Sequence, residues 1–193
     1  DTQLSGVLEM DESYFGNRKK RLTKETKDNV PVLASVTEKR GRGTRKVPVV
    51  GIVEKGGNVK TKIVEKLTAR NLMAMLNHYV KTEESVLITD GFRSYSRMEE
   101  EIEHITVKHS ERSRKANTNT IEGYWGLIKN GIKGNYKSLS KKYLPFYLVH
   151  YDYMYNNRKN DNLFEDFMKD ALTNENNMLN YKPIKETKKI VYG

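Results

Sequence analysis

The sequence predicts an α/β fold: a mixed β-sheet flanked by helices. Three observations carry this reading. Short apolar stretches of strand character come first, and helical stripes come later. Gly-rich turns between the early stretches suit antiparallel hairpins. An amphipathic helix then precedes a short apolar run, the pattern of a parallel crossover to a buried strand.

The elements follow in order. Val7 to Tyr14 (VLEMDESY) alternates in part and reads as a strand ended by Gly16. A basic loop leads to a second strand, Val30 to Thr37 (VPVLASVT), and a charged Gly-rich turn, Glu38 to Lys46. Val47 to Val53 and Val59 to Val64 are strands joined by the Lys55-Gly56-Gly57-Asn58 turn. Thr68 to Lys81 places Leu72, Met75, Leu76 and Tyr79 at helical spacing. Val86 to Thr89 is the apolar run, closed by Asp90-Gly91, and Ile102 to Lys108 is a further short strand. Ser110 to Thr118 is polar and loop-like. Asn119 to Ile132 is a helix with Ile121, Trp125, Ile128 and Ile132 on one stripe. Ser140 to Arg158 is another, whose stripe of Tyr143, Tyr147, Tyr151, Met154 and Tyr155 reads as core packing in preference to a base-stacking platform. We read residues 1–172 as one domain. Residues 173–193, rich in Asn, Lys and Glu, read as a loosely ordered tail.

Composition narrows the function. The 193 residues contain no Cys, which excludes a disulfide framework, a Cys-based zinc site and a cysteine nucleophile. No apolar run approaches the roughly 18–20 residues of a membrane span. The formal net charge of +10 is concentrated. Asn17 to Lys46 holds eleven cations against three acids, and Arg112 to Lys142 holds eight against Glu122 alone. Two dense basic blocks suit a surface that follows the phosphates of a nucleic acid, with binding that falls steeply with salt.

Three carboxylates stand out. Asp11 lies in the first strand, Asp90 ends the strand after the crossover helix, and Glu122 lies in the first turn of a later helix. Strand ends and helix starts are where α/β folds gather ligands. Brought together, three carboxylates repel unless a cation sits among them. With Mg²⁺ or Mn²⁺ they become oxygen ligands, and a pair of ions about 3.5–4 Å apart supports phosphoryl transfer. Each residue also has a plainer reading. Asp11 has Glu9 and Glu12 close by and could be a surface strand acid; Asp90-Gly91 is a common turn. Asn119-x-x-Glu122 matches a capping box with Asn119 as the cap. Lys129, seven residues after Glu122, lies within about 20° of it around the helix, and so does Lys133, eleven residues after.

MDESYFG (Met10 to Gly16), VGIVEKGG (Val50 to Gly57), ITDGFRSY (Ile88 to Tyr95), VKHS (Val107 to Ser110) and NTNTIEGYWGLIKNGIKGNY (Asn117 to Tyr136) resemble bacterial insertion-sequence DDE transposases. YMYNNRK (Tyr153 to Lys159) resembles the end of the same domain. The resemblance covers roughly Val7 to Lys159. It implies an RNase H-like fold, with Asp11, Asp90 and Glu122 as a triad binding two Mg²⁺ or Mn²⁺ ions. It also implies that Lys129 contacts DNA beside the reacting phosphate. In some relatives the asparagine matching Asn119 is the third signature residue. His109 lies in a family motif without an assigned role. DNA cleavage at transposon ends and strand transfer are the implied activity. A nuclease of the same fold that cuts without joining, and an inactive DNA-binding remnant, are the alternatives. The DNA-binding residues expected are Arg112, Arg114, Asn119, Lys129, Lys133, Lys137, Lys141 and Lys142. The implied partners are transposon-end and target DNA and a second copy of the chain, with no membrane. The implied setting is the nucleoid in the bacterial cytoplasm. The family usually carries an N-terminal zinc ribbon or similar segment, so sequence-specific end recognition is expected to lie outside these residues.

Overall fold

Strand alternation gives the sheet two apolar faces, and each recruits its own helices. The structure, a computed structural model, describes residues 3–16, 44, 46–107, 117–136 and 139–173. Its elements run β1 (Leu4–Phe15), β2 (Val47–Glu54), β3 (Val59–Ile63), α1 (Ala69–Tyr79), β4 (Val80–Asp90), a 3₁₀ helix (Arg93–Glu100), β5 (Glu103–Val107), α2 (Asn119–Tyr136), α3 (Leu144–Asn156) and α4 (Leu163–Thr173). The strands lie in the order β3-β2-β1-β4-β5. β1, β2 and β3 pair antiparallel, while β1–β4 and β4–β5 are parallel. This is the mixed sheet the sequence predicts.

On one face Leu8, Met10, Val50 and Ile52 pack with Leu72, Met75 and Leu76 of α1 and with Tyr95 and Met98 of the 3₁₀ helix. On the other, Phe15, Val49 and Val53 pack with Ile121, Trp125 and Ile128 of α2 and Leu144, Leu148 and Tyr151 of α3. Val49 and Val50 thus serve opposite cores, as the two-residue period requires.

The structure departs from the sequence reading in four places. The predicted helix ending at Lys81 stops at Tyr79, where the Val80 N–H still reaches the Leu76 carbonyl but Val80 has extended backbone angles. β4 therefore starts six residues before the apolar run. Its first half is largely exposed, so no apolar pattern announces it. The 3₁₀ helix and α4 are additions. α4 has apolar residues at helical spacing, yet Phe164, Phe167 and Leu172 are exposed. In the Tyr stripe of α3, Tyr151 is buried and Tyr147 and Tyr155 are partly so, whereas Tyr143 and Met154 are exposed. The predicted strand at Val30 to Thr37 and residues 174–193 of the expected tail lie outside the described residues.

Strand β3 is a sheet edge, and α3 closes part of it. The Asn156 side chain receives the Val59 N–H at 2.7 Å and donates to the Val59 carbonyl at 3.0 Å, imitating a further strand. One turn earlier, Asp152 accepts the Thr61 N–H at 3.0 Å, the Thr61 hydroxyl at 2.8 Å and the Tyr124 hydroxyl. Burial raises the Asp152 pKa to about 6, against the pull of these donors. Asn156→Ala strips both Val59 groups of their partners. It should cost about 1–3 kcal/mol, read as a lower denaturant midpoint with an unchanged slope.

Candidate active site

The site is built where β1 and β4 run side by side. Met10 pairs with Thr89, so Asp11 and Asp90 follow as neighbours on adjacent parallel strands. Asp11 is raised to about pKa 7. Burial is the main cause, and the charges of Glu12 and Asp90 add to it; a backbone N–H bond and the indole of Trp125 oppose it. Trp125 donates its indole N–H to Asp11 Oδ2 at 3.2 Å. The Phe92 N–H donates to Asp90 Oδ1 at 3.0 Å, so the turn after β4 orients that carboxylate. Glu12, on the opposite face of β1, accepts the hydroxyl of buried Tyr95 at 2.9 Å.

Trp125 reaches Asp11 because Gly51 lies opposite Asp11 on β2. A Cβ at Gly51 would sit 2.8 Å from two indole carbons of Trp125 and 3.0 Å from Ile121 Cδ1. No larger residue fits without moving the helix.

Helix α2 is tied to β1 by Glu9, which is fully buried. Glu9 accepts the Ile121 N–H at 2.9 Å and the Thr120 hydroxyl at 2.8 Å. A carboxylate there satisfies a free first-turn donor and meets the positive end of the helix dipole. The capping box expected from Asn119 and Glu122 is thus replaced. Glu9 takes the first-turn N–H, the Asn119 N–H goes to Asn117 Oδ1 at 3.3 Å, and Glu122 accepts the Thr118 hydroxyl at 3.0 Å.

The predicted site residues fall into groups. Asp11 and Asp90 come together. Glu122 and Asn119 sit exposed on the first turn of α2. Among the described residues, no three His, Asp or Glu side chains form a group that could hold a metal ion. Lys129 stands over the Phe15 ring at 5.9 Å and is attracted by Asp11. Its pKa is lowered, chiefly by desolvation and secondly by Lys46, against that attraction. Lys133 is exposed on α2, and Lys142 lies over the Tyr143 ring at 5.8 Å. A Cβ at Gly16 would lie 3.7 Å from Lys46 Cα and 3.9 Å from Lys141 Cε. The two basic blocks therefore meet at the end of β1. Arg112, Arg114, Lys137 and His109 lie outside the described residues.

Residues 3–156 match the ISXO2-like transposase domain family. The chain belongs to that family. The transposase domain thus has an RNase H-like fold: a five-stranded mixed sheet with helices on both faces. In shape it is similar to a chain of the simian T-cell lymphotropic virus intasome, with TM-score 0.49 and 12% identity, over 80% of this chain and 49% of that one. It is also similar to the HTLV-2 integrase catalytic core domain in complex with magnesium, with TM-score 0.46 and 13% identity, over 79% and 85%. A third is a chain of the Mos1 strand transfer complex, with TM-score 0.41 and 14% identity, over 86% and 53%. The transposase domain spans about half the length of the first and third of these chains. No curated protein matches it in sequence.

Reading the sequence alone misses Glu9, Trp125, Gly51 and Thr118 as parts of the site. Glu9 has one signal: it is two residues before Asp11 and so shares its strand face.

Two predictions follow from the geometry. Gly51→Ala should cost about 1–3 kcal/mol and displace the indole from Asp11. Trp125 is the single tryptophan, so its emission should shift in that variant while far-ultraviolet dichroism stays unchanged. The second concerns pH. The folded pKa of Asp11 lies above its unfolded value. Between about pH 4 and 7 the native state holds a proton that the unfolded chain releases, so this group's contribution falls as pH rises through that window. In metal-free buffer, Asp11→Asn should therefore raise the melting temperature most at about pH 8, less at about pH 5, and change it little below about pH 4.

Proposed function

We propose that the transposase domain cleaves DNA at transposon ends and joins the freed 3′-hydroxyl to target DNA, using divalent metal ions. The observation that carries this reading is the Asp11–Asp90 pair on adjacent parallel strands, with Lys129 of α2 beside Asp11. The donor set fits the metal. Both groups are hard carboxylate oxygens, and their mutual repulsion helps push the Asp11 pKa to about 7, an arrangement a divalent cation relieves. Asp11 and Asp90 would hold Mg²⁺ or Mn²⁺, with Glu122, or Asn119 in its place, as the third ligand from α2. Two such ions, when bound, supply Lewis-acid stabilisation and an activated oxygen nucleophile.

The chain's own residues set the geometry. Trp125 holds one oxygen of Asp11, and the Phe92 N–H holds one of Asp90, so each carboxylate is fixed before DNA arrives. Lys129, Lys46 and Lys141 form the cationic margin that grips phosphates on either side of the reacting one. Arg112, Arg114, Lys133, Lys137 and Lys142 extend that surface. We place the active protein on DNA in the bacterial cytoplasm, with a second copy bringing the other transposon end.

The test is a strand-transfer assay with the full-length protein on its cognate ends. Mg²⁺- or Mn²⁺-dependent nicking and joining is expected, with both lost in Asp11→Ala and Asp90→Ala. Wild-type rates in Asp90→Ala would refute the assignment, and cleavage without joined product would indicate a nuclease. Binding to any DNA should weaken steeply with salt, and Lys129→Ala should reduce the salt slope by about 1.

A further inference from the structure

A groove of about 370 Å³ opens on the α1 side of the site. Its walls are Tyr14 of β1, Pro48 of β2, Leu67 ahead of α1 and Phe92, with Lys46 and Lys66 at its margin. The apolar residues are half-buried, so each keeps a solvent-facing surface. Tyr14 and Pro48 are paired across β1 and β2, which fixes that wall on the rigid sheet. Phe92 is braced edge-on against buried Tyr95, with ring centroids 5.6 Å apart. It is also the residue whose N–H holds Asp90. The groove therefore begins two residues from the proposed reaction centre.

We propose that this groove binds one unpaired nucleotide of the DNA strand next to the reacting phosphodiester. The inference rests on the proposed function for its placement, and on the groove's own chemistry for its ligand. Flat aromatic and apolar walls suit a base, because every base has a stacking face. Ligand sites of this kind enclose about 300–1,000 Å³, so the groove holds one nucleotide and no duplex. Lys46 and Lys66 supply charge for the flanking phosphates. Glu65 and Thr44 also line it and add oxygen atoms that can accept from an exocyclic amino group. Charge continuity gives the direction. Lys46 lies in the groove, near Gly16 and Lys141, and acts electrostatically on Lys129. A strand gripped by Lys129 and Lys141 passes Lys46 into the groove.

Photocrosslinking tests this. Duplexes with a short unpaired flank, carrying 5-iododeoxyuridine at one flank position at a time, are bound to the protein and irradiated. Crosslinking should peak at one position, with the adduct mapped by mass spectrometry to the peptide containing Tyr14 or Phe92. Phe92→Leu and Lys66→Glu should each reduce that adduct by about fivefold or more, while dichroism shows both variants folded. Equal crosslinking at all positions, adducts confined to other peptides, or an unchanged adduct in both folded variants would overturn the proposal. Metal-dependent cleavage by the same preparation separates the two readings. Cleavage without the Tyr14 or Phe92 adduct removes the groove and leaves the transposase chemistry. The adduct without cleavage keeps the nucleotide site and removes the chemistry.

Discussion

The buried Glu9 carboxylate is the constraint on which the site's geometry depends. A charged group with no exposed surface is stable only when its oxygens have strong partners. Glu9 finds them in the Ile121 N–H and the Thr120 hydroxyl, both in the first turn of α2. That choice sets the rotation and height of α2 over β1. Trp125 then falls one turn beyond Ile121, above Asp11, and Lys129 one turn further, beside Phe15. Sliding α2 by one residue would break the Glu9 bonds and turn the Ile121/Trp125/Ile128 stripe off the sheet together. Packing and polar satisfaction thus demand the same placement, which is how a fold specifies one arrangement.

The basic composition acquires a shape from the same placement. In sequence the two basic blocks are separated by about sixty-five residues. In the fold Lys46, from the end of the first, and Lys141, from the end of the second, both approach Gly16, and Lys129 senses Lys46 electrostatically. Desolvation is the main cause of the lowered Lys129 pKa, and the like charge of Lys46 adds to it. The proximity of Asp11 offsets it in part. Such an arrangement favours a polyanion, whose phosphates would relieve the repulsion among the lysines.

Much of this was legible in the sequence, for physical reasons that differ by residue. The apolar run from Val47 to Val53 and the helical spacing in α1 and α2 are direct records of burial, so those elements read correctly. Asp90 stood out because strand ends collect ligands, and Asp11 as a carboxylate within the first strand. Glu9 did not, because in one dimension a buried carboxylate looks like an exposed one. Trp125 was legible only as core, since its aromatic face packs while its N–H does the polar work at Asp11. Gly51 gives no signal, because its role is the space it leaves for a residue 74 positions away. α4 escaped because a helix whose Phe164 and Leu172 stay exposed makes no demand on the core.

The third member of the proposed triad is governed by this same balance of carboxylates. Repulsion from Glu12 and Asp90 already raises Asp11. A further carboxylate drawn towards the pair without a compensating cation would raise it more. Thr118 gives Glu122 a partner of its own at 3.0 Å, within the turn that Glu9 anchors. Three positions along a helix amount to about 4.5 Å, so Asn119 and Glu122 are alternative reaches from one fixed turn. A neutral amide at Asn119 would approach the pair without the repulsion but offer a weaker bond to a divalent cation. The carboxylate of Glu122 pays that repulsion and gains it back only once positive charge lies between the strands and the helix. Both alternatives share one backbone anchor, the turn that Glu9 holds through the Ile121 N–H and the Thr120 hydroxyl.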